Sequence, residues 1–218
     1  MIKKYFPHYY CGRSRSGNMI YWEQCGEIDP PALARNGATV DIMVRHYIYM
    51  TEFCWSHLVP SPDSKTVTVF DVAGVGLSDL KGDVMKFVKK STQLMQDHYP
   101  ERAEVVIIVN APGWFSFLYA VIKPLINERT QRKVRIFGRD CLGGLGEYME
   151  RDQIPERLGG GMRAGGEWGG VDEGELRMPF GQPGEYDGNE ARWFSEDEVR
   201  FRRHVRERNK DILCKEMI

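Results

Sequence analysis

Apolar runs and amphipathic segments alternate along the chain, and this alternation predicts strands and helices in turn. Residues 105–109 (VVIIV) are apolar throughout, as in a strand buried on both faces of a parallel sheet. Residues 66–70 form a β-branched run, and over 78–97 apolar side chains recur at helical spacing, which predicts a strand and then an amphipathic helix. Further strands are predicted at 19–23 and 133–137, and further helices at 39–57, 114–126 and 143–149. The alternation predicts an α/β fold with a mostly parallel sheet between helical layers.

The predicted helix 114–126 carries apolar side chains on almost every side. Such a helix is either buried in a core or faces lipid. The simpler interpretation is a core helix. The alternative is a lid over a hydrophobic cavity, since Gly113 precedes the helix and Lys123-Pro124 ends it abruptly. A basic cluster follows directly, formed by Arg129, Arg132, Lys133 and Arg135. An apolar lid beside cations is typical of a membrane-contacting edge, although a solvated strand edge has the same composition.

Composition and charge narrow the class of protein. The chain has 218 residues, of which 42% are hydrophobic and 28% are charged, as in one soluble α/β domain. Its net charge of -1 gives no general attraction to nucleic acid. The five cysteines are scattered without a Cys-x-x-Cys pair, so we predict reduced thiols in a cytoplasmic protein, with neither a disulfide framework nor a zinc site.

The uncharged stretch 105–122 approaches the length of a membrane-spanning helix. However, Asn110-Ala-Pro-Gly113 interrupts it, which predicts a buried strand, a turn and then the apolar helix. The N-terminal residues lack the apolar run of a signal peptide.

The composition shifts after residue 158, where glycine becomes frequent and apolar periodicity is lost. We therefore predict a globular domain over 1–161 and a Gly-rich irregular segment over 162–194. Ser195-Glu-Asp-Glu198 is a capping box, and it predicts a charged helix over 195–218 that lies on a surface or reaches a partner.

Motifs of the common enzyme classes are missing from the sequence. It contains no Gly-x-Ser-x-Gly, no His-Glu-x-x-His, no phosphate loop and no dinucleotide fingerprint between a strand and a helix. The histidines show no metal-ligand spacing. We therefore expect no catalytic residue, no metal and no cofactor. A hydrolase with an unrecognised nucleophile has only the α/β pattern in its favour, and a fold alone does not give a function.

Several short motifs occur in a fixed order. They are Asp71-Val-Ala-Gly74, Tyr99-Pro-Glu-Arg102, Asn110-Ala-Pro112, Lys123-Pro124-Leu125, Lys133-Val-Arg-Ile-Phe-Gly138 and Ile154-Pro-Glu-Arg-Leu-Gly-Gly160. In order and spacing they resemble the CRAL-TRIO lipid-binding family, above all its phosphatidylinositol/phosphatidylcholine transfer proteins. The resemblance covers residues 5–161. It implies a mixed, mostly parallel sheet that floors a hydrophobic pocket, with helices around it and a mobile gate helix at 114–126.

The resemblance also implies which side chains hold the lipid. For phosphatidylinositol, Lys133 would pair with the phosphate, while Glu101 and Thr130 would bind inositol hydroxyls or orient Lys133. For phosphatidylcholine, two tyrosines and two hydroxyl residues would hold the choline phosphate, because tyrosine faces attract quaternary ammonium. Those four positions are Tyr10, Tyr21, Thr66 and Thr68. The gate would line the pocket with Trp114, Phe115, Phe117, Leu118, Val121 and Ile122.

Two features depart from the family pattern. The helical lobe that usually precedes this domain, and lends the inositol site a basic residue, is not expected in this chain. Gly17-Asn-Met-Ile20 also replaces the more usual Gly-Arg-Pro-Val. Both features affect the choice of lipid.

The function implied is the binding of a single phospholipid, phosphatidylinositol and/or phosphatidylcholine, and its transfer or presentation between membranes. The bound lipid would be the only ligand. The expected location is the cytoplasm with peripheral membrane association, and the expected partners are a transient membrane surface and a lipid kinase or small GTPase, not nucleic acid. Two alternatives stay open: a regulatory scaffold of the same fold with a degenerate pocket, and a carrier for a sterol, tocopherol or retinoid.

Overall fold

The computed structural model describes residues 2–58, 61, 63–76, 79 and 81–162. The predicted helix over 195–218 and nearly all of the predicted Gly-rich segment lie outside the described residues. Within the described ranges, none of the helices combines the length and apolarity needed to cross a membrane.

Among the described residues, five strands form one sheet in the order in which they occur along the chain. They are β1 His8–Arg13, β2 Met19–Gln24, β3 Thr66–Asp71, β4 Ala103–Val109 and β5 Val134–Ile136. Strand β1 is antiparallel to β2, and every other pair is parallel. The predicted α/β class with a mostly parallel sheet is therefore confirmed.

Of the five strands in the described residues, β1 is the one that the sequence pattern did not predict. Its six residues, HYYCGR, show no clean alternation of apolar and polar side chains. Its conformation depends on pairing with β2, where Tyr9 lies opposite Trp22 and Tyr10 lies opposite Tyr21. A strand specified by its partner gives little local signal in the sequence.

In the part of the chain that the structure describes, seven α-helices lie around the sheet. They are α1 Ile2–Tyr5, α2 Pro30–Arg35, α3 Val40–Phe53, α4 Gly82–His98, α5 Phe115–Ile122, α6 Glu128–Gln131 and α7 Leu142–Gly146. Thr39 caps α3, since its hydroxyl accepts a hydrogen bond from the backbone of Ile42 at 3.3 Å. Helix α5 is shorter than predicted because Pro124 cannot continue the ladder, and Lys123–Leu125 forms a 3₁₀ turn.

The two faces of the sheet differ in chemistry. Side chains paired across the strands share a face, so Trp22, Val69 and Ile107 project to one side, which we call the apolar face. The opposite side, which we call the tyrosine face, carries His8, Tyr10, Tyr21, Glu23, Thr66, Thr68 and Phe70. The segment 141–162 covers the apolar face through buried side chains that include Leu145, Met149 and Ile154. Helices α3 and α5 cover the tyrosine face.

Residues of three sequence motifs meet where the segment 141–162 joins the sheet. The carboxylate of buried Asp71 accepts a hydrogen bond from Asn110 Nδ2 at 2.8 Å, and its other oxygen lies 3.4 Å from Arg157 Nε. Asn110 has a positive φ of 58°, which turns the chain after β4 toward Asp71. The three motifs therefore hold the closing segment on the sheet.

Gly160 sits in the tightest part of the closing segment. A Cβ atom at this position would lie 1.9 Å from the carbonyl oxygen of Ile154. We predict that Gly160→Ala lowers the free energy of unfolding by about 1–3 kcal/mol, the usual cost of overpacking. Urea unfolding followed by circular dichroism measures this change.

Gly143→Ala is the matched control, because a Cβ there meets nothing within 4 Å. It lies in α7 and should raise stability by up to about 1 kcal/mol through helix propensity. Equal stability of the two variants would contradict this account of the closing segment.

Candidate functional site

Tyr10, Tyr21 and Thr68 form one row across β1, β2 and β3 on the tyrosine face. The rings of Tyr10 and Tyr21 lie 5.0 Å apart between centroids, and both side chains are buried. Burial raises the pKa of both phenols, so both stay neutral. Thr66 lies two positions from Thr68 on the same face, and its hydroxyl donates to the carbonyl of Arg102 at 3.4 Å. The structure thus brings the four predicted choline-site residues together, while their role in binding stays a prediction.

Glu101, Thr130 and Lys133 also lie together, at the amino ends of β4 and β5. Lys133 Nζ donates to the carbonyl oxygen of Ala103 at 2.7 Å, and the Lys133 backbone N–H donates to the Thr130 carbonyl at 2.9 Å. Glu101 forms an ion pair with Arg129, which precedes Thr130 in α6. Ala103 pairs with Thr66 in the sheet. The three predicted inositol-site residues therefore border the Thr66 end of the Thr66–Thr68 pair.

Positive charge gathers at this end of the sheet. The pKa of Lys133 is lowered by partial burial first, and then by repulsion from Lys65 and Arg129. An anionic group bound among these cations would relieve that repulsion. The arrangement is therefore suited chemically to a phosphate.

Glu23 is a buried acid that sequence reasoning did not single out. The residue is 8% exposed. One carboxylate oxygen accepts a hydrogen bond from Tyr21 Oη at 2.9 Å, and Cys25 Sγ lies 3.6 Å from the other. Burial raises the pKa of Glu23 to about 7. Side chains of a strand alternate between its two faces, so Glu23 lies on the same face as Tyr21, which stands two residues before it. This alternation is the one feature of the sequence from which the position of Glu23 could have been predicted.

Two histidines extend the polar character of this region. His8, which lies opposite Glu23 in the ladder, places its Nδ1 2.8 Å from the carbonyl oxygen of Phe6. Since a carbonyl only accepts, that nitrogen carries the proton, and His8 Nε2 meets His46 Nε2 of α3 at 2.9 Å. The space between the tyrosine face and α3 therefore holds polar groups where a simple core would hold apolar ones.

The predicted gate residues divide between the two sides of α5. Phe115 and Leu118 are buried against Val72 and Ile108, and Trp114 and Ile122 pack at the margin of the same cluster. Phe117 and Val121 are 75% and 62% exposed. A pattern that is apolar all round gives no indication of this division.

A groove of about 500 Å³ lies between the end of α5, helix α6 and strand β5. Its lining includes Lys123, Arg132 and Ile136, and Ile136 is itself exposed. The groove thus brings two cationic side chains together with one exposed apolar side chain.

Glu23 makes stability depend on pH. Its pKa is raised from 4.5 to about 7 in the folded protein, so the folded chain holds this proton more tightly than the unfolded chain does. The stability that protonation contributes is fully present below pH 4.5 and is lost as the pH rises through about 7. We predict that between pH 5 and pH 8 the free energy of unfolding falls by about 3 kcal/mol relative to Glu23→Gln. Urea titrations of both proteins across this range measure it, and parallel curves would contradict it.

Comparison with known proteins gives consistent matches. The CRAL/TRIO domain family matches residues 3–160. Sec14 cytosolic factor of Schizosaccharomyces pombe is 29% identical over 172 residues, covering 76% of this chain and 59% of that protein. Phosphatidylinositol/phosphatidylcholine transfer protein SFH11 of Arabidopsis thaliana is 29% identical over 192 residues, covering 84% of this chain and 50% of that protein. The chain therefore spans between 50% and 59% of the length of these relatives.

Solved structures agree with the sequence matches. The crystal structure of Sfh5 aligns with a TM-score of 0.59 at 25% sequence identity, covering 73% of this chain and 55% of that chain. The family match includes the whole sheet, α5 and both groups of predicted headgroup residues. The resemblance drawn from the short motifs is confirmed, and the chain belongs to the CRAL/TRIO domain family.

Proposed function

We propose that this chain binds one phospholipid, phosphatidylinositol and/or phosphatidylcholine, and transfers it between membranes or presents it there. The observation that carries the proposal is the polar, tyrosine-rich face of the sheet beneath α3, bordered by the apolar helix α5. The names of the relatives, which include a phosphatidylinositol/phosphatidylcholine transfer protein, support the same lipid class. The activity is non-enzymatic, with the lipid as sole ligand.

Release of a lipid requires α5 to move. Each buried CH₂ contributes about 0.8 kcal/mol, so acyl chains need a dry cavity that opens only at a membrane. Phe115 and Leu118 are the fully buried contacts of α5 on the sheet. Exposing them costs up to about 3 kcal/mol each, a cost that a bilayer offsets by accepting the apolar side of the helix.

The two headgroups use different parts of the tyrosine face. For phosphatidylinositol, Lys133 Nζ turns from the Ala103 carbonyl to the phosphate, and Glu101 and Thr130 bind inositol hydroxyls or orient Lys133. For phosphatidylcholine, the rings of Tyr10 and Tyr21 part to admit the ammonium group, and Thr66 and Thr68 donate to the phosphate.

We infer a cytoplasmic location with transient membrane contact. Phe117 and Val121, the largely exposed apolar side chains of α5, form the contacting surface. A lipid kinase that receives presented phosphatidylinositol, or a small GTPase, is the protein partner that this function implies.

A regulatory scaffold with a closed pocket is the second candidate. The contact between the Tyr10 and Tyr21 rings and the packing of Phe115 and Leu118 favour it. Mass spectrometry of lipids that co-purify with the protein separates the candidates. Phosphatidylinositol or phosphatidylcholine at a one-to-one ratio supports transfer, a sterol, tocopherol or retinoid supports a different carrier, and no lipid supports the scaffold.

Lys133→Ala tests the inositol site. We expect phosphatidylinositol transfer between vesicles to fall at least about tenfold, the scale of a lost charge-assisted hydrogen bond, with phosphatidylcholine transfer unchanged. The exposed Lys89→Ala on α4 removes the same charge away from the site and serves as control. Equal loss for both lipids, or none, would reject the assignment.

The combined change Tyr10→Leu and Tyr21→Leu is the counterpart for choline. Leucine avoids the large cavities that alanine would leave at two buried positions. Phosphatidylcholine uptake should fall about threefold to thirtyfold through lost cation–π attraction, with phosphatidylinositol transfer retained. Uptake of fluorescent phosphatidylcholine measures the effect, and retained uptake would count against the tyrosine site.

Phe117→Ser with Val121→Ser tests the membrane-contacting surface. Both side chains are largely exposed, so the fold should be retained. We expect transfer of both lipids to slow, because each lost apolar side chain weakens membrane contact by about 1.5–3 kcal/mol. Vesicle sedimentation measures binding directly. Ile42→Ser, at an exposed apolar position on α3, is the control, and an equal effect there would argue against a specific surface.

A further inference from the structure

We propose that Glu23 sets the headgroup preference of the site, by supplying the negative charge that faces a quaternary ammonium group held against Tyr10 and Tyr21. This inference rests on the proposed function and deepens it. It assigns a role to a buried acid that the inositol and choline residue sets leave unused.

The position of Glu23 carries the first step. It projects from the same face and strand as Tyr21, two residues further along β2, and its Oε2 lies 2.9 Å from Tyr21 Oη. Tyr21 in turn contacts Tyr10 ring to ring. A cation between or above these rings therefore comes close to the carboxylate.

The lack of a protein counter-ion carries the second step. Among the described residues, no Lys, Arg or His side chain forms an ion pair with Glu23. Burial of a carboxylate without a cation is costly, and the raised pKa of Glu23 reflects that cost. A ligand cation would offset it.

Other titratable side chains near Glu23 come from β1, from α3, from Cys25 and from the end of β3. Strand β1 presents His8, whose Nε2 is engaged by His46 of α3, and α3 also presents the neutral phenol of Tyr47. Burial raises the pKa of Tyr47, and Cys25 stays a thiol for the same reason.

A second nearby acid is Asp71, at the end of β3. Its negative charge also raises the pKa of Cys25, and its carboxylate contacts Asn110 and Arg157. The charge available to a bound ammonium is therefore that of Glu23.

The chemistry of the ammonium group carries the third step. A trimethylated nitrogen has no N–H to donate, so it is held by aromatic faces and by unpaired negative charge. An inositol headgroup carries hydroxyls and no cation, so it gives the Glu23 carboxylate no opposite charge to pair with. The acid thus separates the two headgroups on one face of the sheet, with cations at the Lys133 end and an anion beside the tyrosines.

The sign of the pH effect follows from the same arrangement. Below neutral pH Glu23 is protonated and offers no charge, whereas above it the carboxylate forms, since its pKa is about 7. Binding of the ammonium group favours the carboxylate and expels the proton. Phosphatidylcholine binding should therefore strengthen as the pH rises from 5.5 to 8.5, and phosphatidylinositol binding should not.

Vesicle transfer assays with the 218-residue chain test this, using phosphatidylcholine and phosphatidylinositol separately at pH 5.5, 7.0 and 8.5. In the wild-type protein, the ratio of phosphatidylcholine to phosphatidylinositol transfer should rise about tenfold over this range, the scale of one buried charge contact. In Glu23→Gln, which keeps the shape, the ratio should stay flat at its low-pH value. A rise of the same size in both proteins, or a flat ratio in the wild type, would overturn the proposal.

Glu52→Gln is the matched control. Glu52 is also buried, and it accepts a hydrogen bond from Tyr99 Oη on the α3 side, outside the tyrosine row. It should change the two transfers equally and keep the pH dependence of their ratio. A flat ratio in this variant would show a general effect of buried acids and overturn the role of Glu23. A wild-type protein that carries neither lipid rejects the proposed function itself, a result distinct from all of these.

Discussion

The register of β2 against its neighbours decides which side chains share the tyrosine face. A slip of one residue would turn Tyr21 and Glu23 to the apolar face and bring Trp22 beneath α3. The loop before β2 fixes this register. Asn18 accepts from the backbone of Lys65 at 2.9 Å and donates to Glu104 at 2.8 Å, and two serine hydroxyls of the same loop donate to that carboxylate. One acid on β4 thus ties the β1–β2 loop across the sheet.

The sequence predicts those strands and helices whose residue pattern is confined to the element itself. Strands β2, β3 and β4 are apolar or β-branched runs, and α3 and α4 show helical spacing with clear ends. Strand β1 and the sidedness of α5 depend on contacts with distant segments, and no local pattern records such contacts. Phe115 and Phe117 are identical in type, yet one is buried and the other exposed.

In the candidate site, too, some residues could be predicted from the sequence, whereas their contacts could not. Glu101, Thr130 and Lys133 were named through family resemblance, and they lie together, but the ion pair between Glu101 and Arg129 was not foreseen. Glu23 belongs to none of the recognised motifs, so its position on the tyrosine face is seen only from its pairing in the sheet. Asp71, Asn110 and Arg157 stand within recognisable motifs, yet their contacts are with one another and hold the closing segment. A motif residue in this family is therefore not automatically a ligand contact.

Under the proposed function, the contact between the Tyr10 and Tyr21 rings competes with the bound headgroup. An aromatic pair of this kind is worth about 0.5–1.5 kcal/mol beyond the area it buries. A headgroup that separates the rings must first replace that contact, and on leaving it restores the contact. Affinity is lowered and release is assisted by the same amount, which is an advantage for a carrier whose task ends only when the cargo departs.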